Sequence, residues 1–235
     1  MIPLRIAGGA GEGRRGKSVT IKMKAILGGE MALRFPYRRG DGFDVSTHEG
    51  QIRRYAVFAI QQELHSYHAK NIKADGLFGP ATERVVKTWQ IDHKLVGDGL
   101  VGPKTAKLLF SPHIHVEEQA KGIVGPYLQG MVRWEANFDP GATGPNDVDS
   151  GLVQINLGVH TDISEAQAFD PIFSIDYGAR RMASAYQSFQ SSPMAWQCAI
   201  AQHNSPKKAK QWYTTGQAPD DKIALYVERI MSYQP

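Results

Sequence analysis

Glu135 is the residue for which a chemical role is best argued. It ends the run Met131-Val-Arg-Trp-Glu135, and Ala-Asn-Phe-Asp-Pro-Gly follows. Tyr127, Leu128, Met131, Val132 and Trp134 recur at helical spacing, so a helix with one face on a core is expected here. Asp139-Pro140-Gly141 is expected to end it. Glu135 then lies in the last turn, facing a loop. The negative end of the helix dipole and the apolar neighbours Trp134 and Phe138 both disfavour the ionised carboxylate. A carboxyl that stays protonated near neutral pH is what a general acid requires. A solvated glutamate at a helix end has the same local features, so other parts of the chain must decide.

The loop beyond Glu135 offers further polar groups. Gln154 stands between Val153 and Ile155. If buried there it needs partners, which are either a substrate or the backbone. Asp147 and Asp149 could supply a second carboxylate, which inverting glycoside hydrolysis needs at roughly 6.5–9.5 Å from the acid. Turn formation is the competing role for both. A calcium loop over 139–150 is rejected, because the alternating Asp pattern and the closing Glu are absent.

The elements that would hold these groups are helical. Ile175 to Tyr186 carries Ile175, Ala179, Met182 and Tyr186 on one side. Trp196 to Ala201 runs into His203-Asn204-Ser205-Pro206, and Ile223 to Met231 aligns Ile223, Tyr226, Val227 and Ile230.

The chain has 235 residues, 42% apolar and 21% charged, enough for two modest domains of ordinary globular composition. No apolar run approaches the roughly 18 residues of a membrane span, so no stable membrane insertion is expected. The first residues hold too short an apolar run for a secretory signal. Cys198 is alone, which excludes an intrachain disulfide; its apolar helical surroundings mark it as a buried structural thiol. The net charge of +4 hides an asymmetry: residues 1–110 carry 18 Lys/Arg against 10 Asp/Glu, and the rest carry 9 against 13. A basic front half suits an anionic partner. Nucleic acid is disfavoured, because no basic stripe interleaved with aromatics appears.

Residues 1–18 are Gly-rich and basic, and flexibility is expected; their spacing does not fit a phosphate-binding loop. Val19, Ile21, Met23 and Ala25 alternate with polar residues, Gly28-Gly29 reads as a turn, and Met31 to Tyr37 as a returning strand. This small hairpin either docks on the next domain or presents cations to an envelope surface. Between 51 and 110, Asp75-Gly-Leu-Phe-Gly-Pro-Ala-Thr82 recurs as Asp98-Gly-Leu-Val-Gly-Pro-Lys-Thr105. Each copy is a glycine turn leading into a helix with Pro in its first turn. With helices expected over Tyr55–Tyr67, Thr82–Ile91 and Thr105–Phe110, this is a three-helix unit. Pro112 is expected to break the chain, giving segments 1–50, 51–112 and 113–235. His113 and His115 are too few for a metal site.

The doubled Asp-Gly-x-x-Gly-Pro-x-Thr turn, Ile60-Gln61-Gln62-Glu63-Leu64 and Val86-x-x-Trp89-Gln90 resemble the type 1 peptidoglycan-binding domain. That resemblance implies a groove for stem peptide or glycan, with Asp75, Phe78, Trp89 and Asp98 as the module's motif residues. Residues 113–235 resemble the soluble lytic transglycosylases, a branch of the goose-type lysozyme fold. The likeness rests on Trp134-Glu135-Ala-Asn-Phe138-x-Pro140, Ser150-Gly-Leu-Val-Gln154-Ile155, the helix from Ile175 to Met182, Ala201-Gln-His203-Asn204 and Tyr226-Val227. Ala136 departs from the Ser that usually follows the glutamate, His203 from a Tyr, and Pro145 from a frequent Ser. The expected fold is therefore mainly α: a three-helix binding domain, then a lysozyme-like α-helical (α+β) catalytic domain, with a small β-hairpin near the N-terminus.

The resemblance implies Glu135 as catalytic acid and base, and Ser150, Gln154, His203, Asn204 and Tyr226 as substrate-binding or positioning residues. It implies peptidoglycan as partner, a monomer, and neither cofactor nor metal. The expected reaction is cleavage of the β-1,4 bond between N-acetylmuramic acid and N-acetylglucosamine with a 1,6-anhydro product. Inverting hydrolysis and an inactive wall-binding protein are the alternatives. The whole resembles a modular bacteriophage endolysin, held in the host cytoplasm until holin lesions release it to the wall; a virion-associated lysin is the alternative. On this reading 113–235 alone would remain active on soluble glycan.

Overall fold

The computed structural model describes residues 21–24 and 30–235. The expected flexible start and the Gly28-Gly29 turn lie outside them. Strand β1 (Ile21–Lys24) pairs antiparallel with β2 (Glu30–Leu33), Ile21 opposite Leu33. Three helices follow: α1 (His48–Ser66), α2 (Pro80–Asp92) and α3 (Pro103–Ala120). Thr47 caps α1 by accepting from the Gly50 amide, which starts that helix well before the expected Tyr55.

The two repeated turns are built alike. Gln61 Nε2 donates to Asp75 Oδ1, Leu77 O and Thr82 Oγ1, while its Oε1 accepts from the amides of Asp75 and Gly76. In the second copy Gln90 donates to Asp98 Oδ1, Leu100 O and Thr105 Oγ1, and accepts from the Gly99 amide. Gly76 and Gly99 take φ of 75° and 77°, a conformation that costs other residues strain. The repeat is thus a turn locked by a glutamine from the preceding helix.

Pro112 does not break the chain. Helix α3 passes through it to Ala120, because Leu109 and Phe110 before it and His113 and Ile114 after it are all buried. His113 Nδ1 lies 2.7 Å from Glu63 Oε1 on α1, so this histidine serves a buried pair. Among the described residues no group of three or more His, Cys, Asp or Glu is placed to hold a metal ion.

The second half contains α4 (Tyr127–Glu135), the two-residue strands β3 (Asp149–Ser150) and β4 (Ile155–Asn156), α5 (Glu165–Phe169), α6 (Pro171–Phe189), α7 (Ala195–Asn204), α8 (Pro206–Thr215) and α9 (Asp221–Met231). One apolar core runs from Phe35 through α1 and α3 into α4, α6, α7 and α9. No helix among the described residues is long and apolar enough to cross a membrane.

The segment after β2 joins both halves. The Ala32 amide donates to Thr143 O at 2.9 Å, and Thr143 in turn bridges to Ser150 of β3. Five residues on, the Tyr37 amide donates to Val101 O, in the second repeat turn, at 3.0 Å. The hairpin therefore docks on the glutamate-bearing half as well as on its sequence neighbour. Its edge continues the short sheet of β3 and β4.

Candidate active site

Helix α4 ends on Glu135 itself, four residues before the expected breaker. The Asn137 amide donates to Arg133 O at 3.2 Å, and Asn137 adopts φ of 51°, which closes the helix in a left-handed cap. Arg133 Nη1 fixes the cap by donating to Asn137 Oδ1 at 2.5 Å. Phe138 follows at φ 61° and turns the chain inward. Non-glycine residues in this region cost of order 1 kcal/mol or more, and such strain gathers at functional sites.

The next residue, Asp139, is a buried hub rather than only a breaker. It accepts from Tyr37 Oη at 2.5 Å, from the Gly141 amide at 2.9 Å and from the Arg34 amide. The Arg34 guanidinium donates to Gly141 O, to Thr143 Oγ1 at 3.2 Å and to Glu49 Oε2 at 2.8 Å. Met31, Leu33, Ala136 and Ala142 form a separate small apolar cluster. Ala136 thus has a physical reason. A hydroxyl there would be buried against the apolar side chains of β2.

Glu135 faces a cavity of about 480 Å³ whose wall includes Asp149, Gln154, Asn156, His203 and Asn204. Its side chain is 18% exposed. Tyr226, reaching across from α9, donates to Glu135 Oε1 at 2.5 Å. Burial pushes the Glu135 pKa up to about 7; the Tyr226 bond opposes this, and the charge of Asp149 adds to it. His203 Nε2 stands 3.9 Å from Glu135 Oε1. Burial, reinforced by Arg181, pushes the His203 pKa down to about 4, so it is a neutral imidazole near pH 7. A large share of the carboxyl therefore still carries its proton at neutrality, and the neutral His203 gives it no positive charge to hold it ionised.

The other expected site residues divide. Gln154 lines the cavity at φ 50°, with both amide hydrogens donated to Ala142 O and Gly151 O. Only its Oε1 remains to meet a ligand, as an acceptor. Asn204 lines the cavity at the end of α7. Asp149 lies on the wall and accepts from Asn156 Nδ2 at 2.8 Å. Asp147 is committed elsewhere: it accepts from Thr143 Oγ1 at 2.7 Å and sits 4.0 Å from Arg34. Ser150 is fully buried, so it contributes backbone pairing and cannot touch substrate.

The four motif residues of the binding module take structural positions. Phe78 and Trp89 are fully buried and fill its core. Asp75 and Asp98 use Oδ1 to lock the repeat turns. Phe78 and Trp89 therefore build the module's core, while Asp75 and Asp98 shape its two turns. Sequence reasoning missed Met31, Arg181 and Gln202 on the cavity wall. The apolar alternation of Met31, Leu33, Phe35 and Tyr37 was the available signal for the first, and it marks a buried strand face without naming what covers it.

A carboxyl with a raised pKa in an open cavity of a mainly helical unit is the equipment that general acid catalysis requires. The particular families follow from comparison. Residues 53–109 match the model of the peptidoglycan binding domain, and residues 112–225 that of the transglycosylase SLT domain. A search of curated proteins returned no match. The chain thus carries a peptidoglycan-binding domain followed by an SLT domain, and it is a peptidoglycan-degrading lytic transglycosylase.

Proposed function

We propose that the enzyme cleaves the β-1,4 bond between N-acetylmuramic acid and N-acetylglucosamine and forms a 1,6-anhydro end. The observation that carries this reading is Glu135: largely shielded from water, its pKa raised to about 7, and held by Tyr226 in a cavity large enough for sugar. Glu135 gives its proton to the leaving glycosidic oxygen as the bond to the muramic C1 breaks. The substrate's acetamido group stabilises the positive centre, so no second carboxylate is needed. The ionised Glu135 then takes the proton of the muramic 6-hydroxyl, whose oxygen closes on C1. Proton and bonds balance without water. Tyr226 steadies Glu135 once it is ionised, Gln154 Oε1 accepts from a sugar hydroxyl, and Asn204 and neutral His203 position the acetamido group.

Hydrolysis is the second reading, and the presence of Asp149 on the cavity wall favours it. There Asp149 would activate a water across the sugar, and Asp147 would take no part. Mass spectrometry of products from purified peptidoglycan separates the two. Anhydro-muropeptides, lighter by one water, support the first; reducing ends support hydrolysis. If Glu135→Gln cleaves as well as the wild type, both fail.

Residues 51–112 serve in this reading as the wall-binding module, and residues 113–235 supply the catalytic side chains. The biological setting follows the same reading: a monomeric bacteriophage endolysin released from the host cytoplasm through holin lesions. Expression inside a Gram-negative cell with and without a holin tests it, and lysis that needs no holin would count against it.

A further inference from the structure

A second cleft of about 390 Å³ lies between α6 and α7 and borders the Glu135 cavity, with Arg181, Gln202 and His203 lining both. Its floor is apolar, with Met131, Met182, Ala185 and Ala199. Its rim carries Arg180 and Arg181. Arg180 is paired with Asp176 at 2.7 Å. Arg181 is not paired with any acid among the described residues. It donates only a long 3.4 Å hydrogen bond to Tyr177 Oη and lies over that ring at 5.6 Å. A guanidinium with unused donors beside a reaction cavity is suited to a carboxylate. The half of the molecule that holds it carries an excess of acids, so this cation stands out locally.

Resting on the reaction proposed above, we propose that this cleft takes the stem peptide of the substrate, with Arg181 binding one of its free carboxylates. The apolar floor suits the methyl side chains of such a peptide. The shared wall of Arg181, Gln202 and His203 sets the peptide beside the muramic residue at the cleavage point. Peptide recognition is therefore placed in the catalytic half as well as in the binding module.

The test uses the full chain as Glu135→Gln, with and without Arg181→Gln, so the binding module is common to both. Calorimetry compares three probes: a muropeptide tetrasaccharide with free peptide carboxylates, the same compound with those carboxylates amidated, and an N-acetylglucosamine tetramer. Without Arg181→Gln, the free-acid muropeptide is expected to bind about tenfold tighter than the amidated one, as for an exposed charge-assisted contact. That preference should shrink at high salt and vanish with Arg181→Gln, while tetramer binding stays as it was. Equal binding of the two muropeptides, or a preference that survives Arg181→Gln, overturns the proposal. So does an equal loss for all three probes, which would make Arg181 a sugar contact or a support for His203. Failure of the underlying reaction shows separately, as a wild-type chain that releases no product from peptidoglycan.

Discussion

Tyr226 and Glu135, 91 residues apart, meet in a 2.5 Å hydrogen bond in which the phenol donates to Oε1. This bond stabilises the ionised carboxylate, whereas burial and Asp149 oppose ionisation. The alkaline limb of kcat/KM should therefore fall near pH 7, where the free enzyme loses the acid's proton. Removing the donor with Tyr226→Phe should move the limb to higher pH. Asp149→Asn removes a repelling charge and should move it to lower pH. Profiles shifting in the same direction in both variants would contradict this assignment.

Glu135 also links pH to stability. Its pKa is raised on folding from 4.5 to about 7, so the folded state binds this proton more tightly than the unfolded state. The favourable contribution is full below the unfolded pKa and is lost as pH rises through about 7. Glu135→Gln should consequently be more stable than wild type at pH 8, by about 1–3 kcal/mol. The difference should disappear near pH 4. Thermal unfolding at the two pH values measures this.

Asp139 ties the segment after β2 to the catalytic loop. Asp139→Ala leaves the donors of Tyr37, Arg34 and Gly141 without their acceptor in a buried site. The expected loss is about 3–5 kcal/mol, with activity falling as the loop loosens. Tyr37→Phe removes one donor and should cost about 1 kcal/mol. Denaturant unfolding of both variants tests the ordering.

The two glutamine locks offer a matched pair. Gln61→Leu strands two backbone amides, and Gln90→Leu strands one. At about 1–3 kcal/mol for each unsatisfied buried group, Gln61→Leu should be the more destabilising. Equal losses would show that the turns do not depend on these amides.

Much of this was legible in the chain. Helical periodicity placed α4, α6, α7 and α9, and the setting of Glu135 pointed to a raised pKa. The cause was only partly legible: burial dominates, and Asp149 contributes through a fold that brings the loop back over the helix end. Pro112 misled because a missing amide is a local signal, whereas buried neighbours on both sides hold α3 together. The burial of Phe78 and Trp89 was not read, because aromatic residues in a motif suggest binding, yet a unit of about 60 residues needs such side chains for its core. Docking of residues 31–37 on the next domain was one of two readings, but their contact with the glutamate loop could not be read, since strand alternation specifies a face and not its partner.

The removal of residues 1–112, expected to leave an active fragment, would also remove Ala32, Arg34 and Tyr37 from the glutamate loop and cut α3. Unbroken α3 has a wider consequence. A tethered anchor works as a leash, raising the local concentration of a cleft that searches freely around it. Here an unbroken α3 and a second set of contacts through residues 32–37 join the module and the cleft as one body, without the slack of a linker.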